Sequence, residues 1–204
     1  PFIICMMEDI TERKEAEEAR IQAEQRYRDI FENAIEGIFQ TTPDGHYINV
    51  NPAFVRIFGY ESAQQMHYEI NNVQTQLYVD PKERMRFINL LETHSEVQNF
   101  EYQAYRRDRS IIWVNETARL VRDEHGKVAY YEGMVEDITK RKYAEAKLLY
   151  DASHDQLTGL FNRNTFINKL AETLAIYHQH PTPQHSAFAV LFVDLDRFKV
   201  VNDS

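Results

Sequence analysis

Cysteine is almost absent from this sequence: the 204 residues contain one, Cys5. No internal disulfide can form and no cysteine cluster can hold zinc, which fits a reducing, cytoplasmic compartment. Glycine and proline are scarce, six of each, and that excludes a long flexible or polyproline linker. Long hydrophobic runs are missing too. The longest, residues 2–7 and 187–193, fall far short of the roughly 18 residues a transmembrane helix needs. No basic segment precedes Phe2, as one would in a signal peptide. Positive charge is in deficit: the net charge of −9 argues against a nucleic-acid groove, which needs a basic stripe, and against docking on an anionic membrane surface. A nucleotide site stays open, because a few local cations and Mg²⁺ can hold phosphates in an acidic protein.

What is present supports a packed core: 43% of residues are hydrophobic and 12% aromatic, too many for a disordered chain. The length allows one full domain plus a piece of another, and an apolar start at Pro1 suggests a chain cut from something longer. A repeat organises it. MMEDITERKEAEEA (6–19) matches MVEDITKRKYAEAK (134–147), with Asp9-Ile10-Thr11 lying 128 residues before Asp137-Ile138-Thr139. A spacing this wide implies tandem domains, not a solenoid. Residues 1–11 then read as the last strand of one copy, and a full further copy follows.

Residues 12–34 read as a linker helix with a weak a/d seam at Ala16, Ala19, Ala23, Tyr27, Ile30 and Ala34. Segments 37–42 and 46–51 are short strands joined by a Pro43-Asp44-Gly45 turn. Asn51-Pro52 places a capping side chain before a helix-starting proline, so 52–60 and 62–67 read as short helices. Residues 81–94 form a longer one with Met85, Ile88, Leu90 and Leu91 on or near one face. Three strands follow, at 97–108, 110–123 and 127–137, the last two joined through Asp123-Glu124-His125-Gly126. Two strands, several helices and three antiparallel strands make an α+β layer design.

YRDIFENAIEGIFQTTPDGHYINVNPAFVRIFGYES and IIWVNETARLVRDEHGKVAYYEGMVEDITKRK resemble the opening and the closing hairpin of a PAS sensor domain, here over about residues 26–139. The resemblance implies a five-stranded antiparallel sheet with short helices on one face, cupping a small pocket. Phe39, Ile48, Phe54, Ile57 and Phe58 are the pocket candidates and read equally well as plain core. The ligand is unknown. A thiol-linked flavin is disfavoured because no cysteine lies between 26 and 139. Haem is disfavoured because the usual ligand region, near Arg86, has no histidine and His94 lies at the helix end.

DQLTGLFNR (155–163) followed by LFVDLDRFKVVND (191–203) closely resembles the start of the GGDEF family of diguanylate cyclases, an α/β domain of which residues 155–204 would be the truncated beginning. A helix from Asn164 to about Tyr177 and a strand at 187–196 are expected, joined by a polar loop. His178, His180 and His185 read there as solvated loop residues before metal ligands. Asp194 and Asp196, at i and i+2 on a strand end with Lys199 close by, suit Mg²⁺ and phosphate, although residue types alone favour a plain charged strand end. The resemblance implies that Asp194 binds Mg²⁺ through its carboxylate and Leu195 through its carbonyl. It also implies that Lys199 steadies phosphates in the transition state, that Phe198 contacts them through its backbone, and that Asn202 hydrogen-bonds the guanine edge. Asp196 and Asp203 match positions of structural type. Asp155, Gly159, Asn162 and Arg163 read as turn-builders.

Together these resemblances imply a sensory and relay fragment in which a PAS domain controls, through a signalling helix at 140–154, a homodimeric cyclase that condenses two GTP into cyclic-di-GMP. The fragment itself should be inactive, because the signature loop is missing. The alternatives are a parent with an EAL phosphodiesterase, or a PAS domain serving only dimerisation. Asp137, Ile138 and Thr139 are the candidate relay, with Ile138 buried and Thr139 as N-cap of the signalling helix.

Overall fold

The computed structural model describes residues 11–179, 189–191 and 193. The chain divides into two compact units, with the division between Glu145 and Ala146. In chain order the first holds α1 (Thr11–Asn33), β1 (Gly37–Thr41), β2 (Tyr47–Val50), α2 (Pro52–Ile57), α3 (Ala63–Glu69), α4 (Val73–Gln76), α5 (Pro81–His94), β3 (Glu96–Tyr105), β4 (Ile111–Arg122) and β5 (Val128–Asp137). Helix α6 (Thr139–Ser153) crosses the division and α7 (Arg163–Gln179) belongs to the second unit. The five strands form one antiparallel sheet in the order β2-β1-β5-β4-β3. Each of the five strands expected between residues 37 and 137 is present, shifted at its ends by up to three residues.

The alternation along β4 explains its placement. Ile112, Val114, Glu116, Ala118 and Leu120 all face inward and are buried, as a period of two requires. On β3 the inward residues are Val97, then Phe100, Tyr102 and Ala104. Val97 and Phe100 are three apart, so one extra residue must be accommodated. The register shifts between them, and Asn99 takes the left-handed backbone (φ 55°), the signature of a bulge. Gly133 on β5 lies where β4 comes closest. A Cβ there would sit 2.4 Å from the Thr117 carbonyl oxygen and 2.7 Å from Ala118 Cβ, so only glycine lets the two central strands pair.

The inward sheet residues meet Phe54, Phe58, Met66, Val73, Leu77, Phe87 and Leu91 from the helices in one core. On α5 the buried stripe is Arg84, Phe87 and Leu91, spaced i, i+3, i+7. This corrects the expected face: Met85 is one position off the stripe and is exposed, while Ile88 and Leu90 flank it. Helix α4 has no counterpart in the sequence reading. It is a single turn capped by the Asn72 side chain, too short to show a period.

Two calls on the second unit change. His178 belongs to α7 rather than to a loop. Ala189, Val190, Leu191 and Val193 do not form a strand, since a strand needs a hydrogen-bonding neighbour and this segment has none among the described residues. Residues 1–10, His180, His185, Asp194, Leu195, Asp196, Phe198, Lys199, Asn202 and Asp203 lie outside the described residues.

Asn51 joins the first helix to the sheet. Fully buried, its Oδ1 accepts from the backbone N–H groups of Ile38 (2.9 Å) and Phe54 (2.8 Å), and its Nδ2 donates to the carbonyls of Phe31 (3.1 Å) and Glu36 (3.0 Å). One side chain thus caps α2, closes the end of α1 and pins β1. Asn51→Ala leaves one buried and three part-buried backbone groups without that partner and should destabilise the first unit by about 2–4 kcal/mol, measured by denaturant unfolding.

Candidate functional site

The inward position 116 of β4 carries a glutamate in phase with aliphatic residues, 3% exposed. Its carboxylate is solvated by tyrosines. Tyr102 Oη donates to Oε2 at 2.6 Å and Tyr78 Oη to the same oxygen at 3.4 Å. The two tyrosine rings stack at 4.2 Å and 7°. That pairing is held because residues 77–79 run alongside β3: Tyr105 N–H donates to the Leu77 carbonyl and Val79 N–H to that of Gln103. Arg84, 8% exposed, lies over the Tyr78 and Phe87 rings at 5.9 and 5.8 Å. Among the described residues it forms no ion pair. Burial raises the Glu116 carboxyl above the usual carboxylate range, opposed by the Tyr102 hydrogen bond and the Arg84 charge. Burial likewise raises Tyr78 and Tyr102, with the Glu116 charge adding to it.

These groups border a small internal chamber with Phe39, Tyr47, Phe54, Val73 and Leu77. Its volume of about 10 Å³ is that of a single water molecule. Of the five pocket candidates, Phe39 and Phe54 line the chamber. Phe58 is core, its ring tilted against that of Phe54 at 4.7 Å, and Ile57 packs at the core's margin. Ile48 is 42% exposed and is no pocket residue. In β2, Tyr47 packs against the core and Val50 is buried, while Ile48 and Asn49 between them are exposed. The sequence reading passed over Tyr47, Tyr78, Arg84, Tyr102 and Glu116. The signal was available: Glu116 breaks an otherwise apolar period-two pattern, and Arg84 sits on the Phe87–Leu91 stripe.

The second feature is the joint between sheet and α6. Ile138 is buried and its N–H donates to the Trp113 carbonyl of β4 at 2.9 Å. Its own carbonyl accepts from Lys142 N–H, so Ile138 holds the capping position. Thr139 is the first helical residue and not the N-cap: its hydroxyl accepts from Trp113 N–H at 2.9 Å and donates to the Trp113 carbonyl at 3.4 Å. The helix start is served instead by Asp137 Oδ1, which accepts from Thr139 N–H at 2.9 Å. Asp137 Oδ2 pairs with Arg106 at 2.7 Å, and Arg106 Nε donates to the Ile57 carbonyl at the end of α2. Lys142 pairs with Glu101 of β3 and lies over the Trp113 ring at 5.4 Å; Arg141 reaches Glu101 at 3.2 Å. The Lys142 contact lowers the Glu101 carboxyl below its usual range. Basic residues at a helix start, unfavourable to the macrodipole, are explained by this carboxylate.

In the second unit, Asp155 Oδ1 accepts from the N–H groups of Leu157 and Thr158 and from the Thr158 hydroxyl. Gly159 takes a left-handed φ of 69°, which glycine adopts without strain. Asn162 Oδ1 accepts from Thr165 N–H at the start of α7, and Nδ2 donates to the Ala152 carbonyl. These residues build the turn between α6 and α7. Arg163 opens α7.

Glu116 gives a pH test. Its folded pKa is raised, so the stability it contributes is full below the unfolded carboxyl pKa and is lost as pH rises toward the folded value. Glu116→Gln removes that loss. The variant's stability relative to the parent should rise with pH once the unfolded carboxyl begins to ionise, followed by urea unfolding; parallel profiles would contradict it.

Comparison with known proteins agrees with this arrangement. The PAS domain family matches residues 35–140, and the family "Diguanylate cyclase, GGDEF domain" matches residues 152–204. The probable diguanylate cyclase DgcE of Escherichia coli K12 is 42% identical over 71 residues, 35% of this chain and 6% of that protein. Diguanylate cyclase DgcM of the same strain is 29% identical over 168 residues, 78% of this chain and 37% of its own length. The chain thus spans well under half of these relatives. The crystal structure of a PAS domain from Colwellia psychrerythraea superposes with a TM-score of 0.50 at 22% identity, over 58% of this chain and 99% of that one. A five-stranded antiparallel sheet, a buried chamber under its helices and a strand-to-helix joint at Asp137-Ile138-Thr139, over the residues the family matches, place this chain in the PAS domain family, with the beginning of a GGDEF domain behind it.

Proposed function

We propose that the chain is the sensory and relay part of a bacterial cyclic-di-GMP signalling protein, its PAS domain controlling a diguanylate cyclase that condenses two GTP. The observation that carries this is the order of parts: a PAS sheet, a joint clamped on β4, and one helix leading into the turn that opens the GGDEF segment. The similarity to DgcE and DgcM supports it. No finding favours the alternative with an EAL phosphodiesterase.

The output site would use Asp194 and the Leu195 carbonyl as oxygen ligands, the donor type that Mg²⁺ accepts. Lys199 and Phe198 would meet the phosphates and Asn202 the guanine. Mg²⁺, when bound, would offset phosphate charge. Each protomer of a dimer would hold one GTP, so control reduces to aligning two protomers. Among the described residues no helix is long and apolar enough to cross a membrane. We place the fragment in the cytoplasm, where GTP is found.

The relay is the joint. A cluster of hydrogen bonds and ion pairs between α6 and the sheet has two states, closed or released, and a few kcal/mol separates such states. Thr139→Val keeps the side chain's shape and leaves Trp113 N–H without its acceptor, at a cost of about 1–3 kcal/mol. In the longer protein this variant should change cyclic-di-GMP output, measured from GTP with Mg²⁺, while the PAS core melts within a few degrees of the parent. Unchanged output from a variant whose joint has opened would reduce α6 to a tether.

A further inference from the structure

Outside the internal chamber lies an open groove of about 490 Å³ between the β1–β2 turn, α4 and α5. Arg84 borders both spaces and so belongs to the wall between them. The groove is otherwise polar and acidic: Asp44, Asn71, Asn89 and Glu92 line it beside Ile88. The only structural duty of Glu92 among the described residues is a 3.5 Å bond from Tyr131 Oη, and Asp44 pairs with His46 at the turn.

The charges limit what fits. Arg84 is a buried cation that Glu116 stabilises only from beyond ion-pair distance; it forms no ion pair among the described residues, and a buried cation is held at a cost until an anion meets it directly. A plain anion reaching for it would pass two carboxylates, whereas a plain cation would match those and leave Arg84 unmet. A molecule carrying both signs satisfies both. We propose that this groove binds a small zwitterion of the amino-acid class, its carboxylate on Arg84, its ammonium toward Glu92 and Asp44, and its polar flank on the amides of Asn71 and Asn89. The ligand is read through the wall. A carboxylate that draws the guanidinium outward weakens the one cation that acts on Glu116 among the described residues, and the Tyr78–Tyr102 pair around that carboxyl must readjust.

The inference rests on the reading of this PAS domain as a sensor, but its test does not. The 204-residue chain is titrated calorimetrically with each proteinogenic amino acid, and with acetate and methylammonium as probes of one sign. At least one amino acid should bind, each one-sign probe at least about tenfold more weakly. Arg84→Gln and Glu92→Gln should each weaken binding by about tenfold or more. The surface variant Glu92→Gln keeps the test decisive if Arg84→Gln fails to fold. Three results would overturn the proposal: no amino acid binding at millimolar concentration, acetate or methylammonium binding as tightly as any amino acid, or undiminished affinity in a folded variant. Heat of binding is independent of cyclic-di-GMP output, so loss of either reading leaves the other standing.

Discussion

A carboxylate on the inward face of a central strand is the constraint around which this sensor domain is arranged. Left ionised and unsolvated, it would cost several kcal/mol. The fold meets that cost with directed hydrogen bonds. Tyr102 stands on the neighbouring strand at 2.6 Å, and Tyr78 is brought in by the backbone pairing of residues 77–79 with β3. Arg84 must then lie on the buried stripe of α5, where an aliphatic residue would otherwise sit. The positions of α4 and α5 therefore follow from Glu116 as much as from apolar packing, and the chamber is polar although most of its wall is aromatic or aliphatic.

The same strand carries the output joint. Trp113 lies three residues from Glu116 on β4, and both of its backbone groups are engaged by Ile138 and Thr139. Core charge and exit helix thus share one short length of backbone. Asn51 ties α1 to β1 and α2 through four hydrogen bonds. Adjacency on a strand becomes a relay only if its two ends are energetically coupled; the joint itself combines ion pairs, hydrogen bonds and one buried isoleucine.

The sheet was legible in the sequence because its signals were local: period-two patterns on three long strands, a Pro-Asp-Gly turn, and asparagine before proline at α2. The joint was legible through repetition of Asp-Ile-Thr, but its wiring was not. Thr139 reads as a cap by residue type, and only the approach of β4 shows that its hydroxyl belongs to Trp113 while Asp137 serves the helix. The chamber was misread for a similar reason. Aromatic and aliphatic residues drew attention, and Ile48 was included although it lies on the exposed side of β2. The residues that give the chamber its chemistry come from α5, β3, β4 and the segment before α5, which are distant in sequence. Single-turn α4 carries no period at all, and the cyclase residues from Asp194 onward were read by family resemblance alone.

The most direct test of the account is amide hydrogen exchange at the start of α6, compared between the 204-residue chain and its Glu116→Gln variant at neutral pH. If β4 couples the buried carboxyl group to the joint, replacing it by an amide alters protection of the Ile138, Thr139 and Lys142 amides while the rest of the sheet keeps its own. Identical protection at those three amides, in a variant whose core is intact, would contradict it.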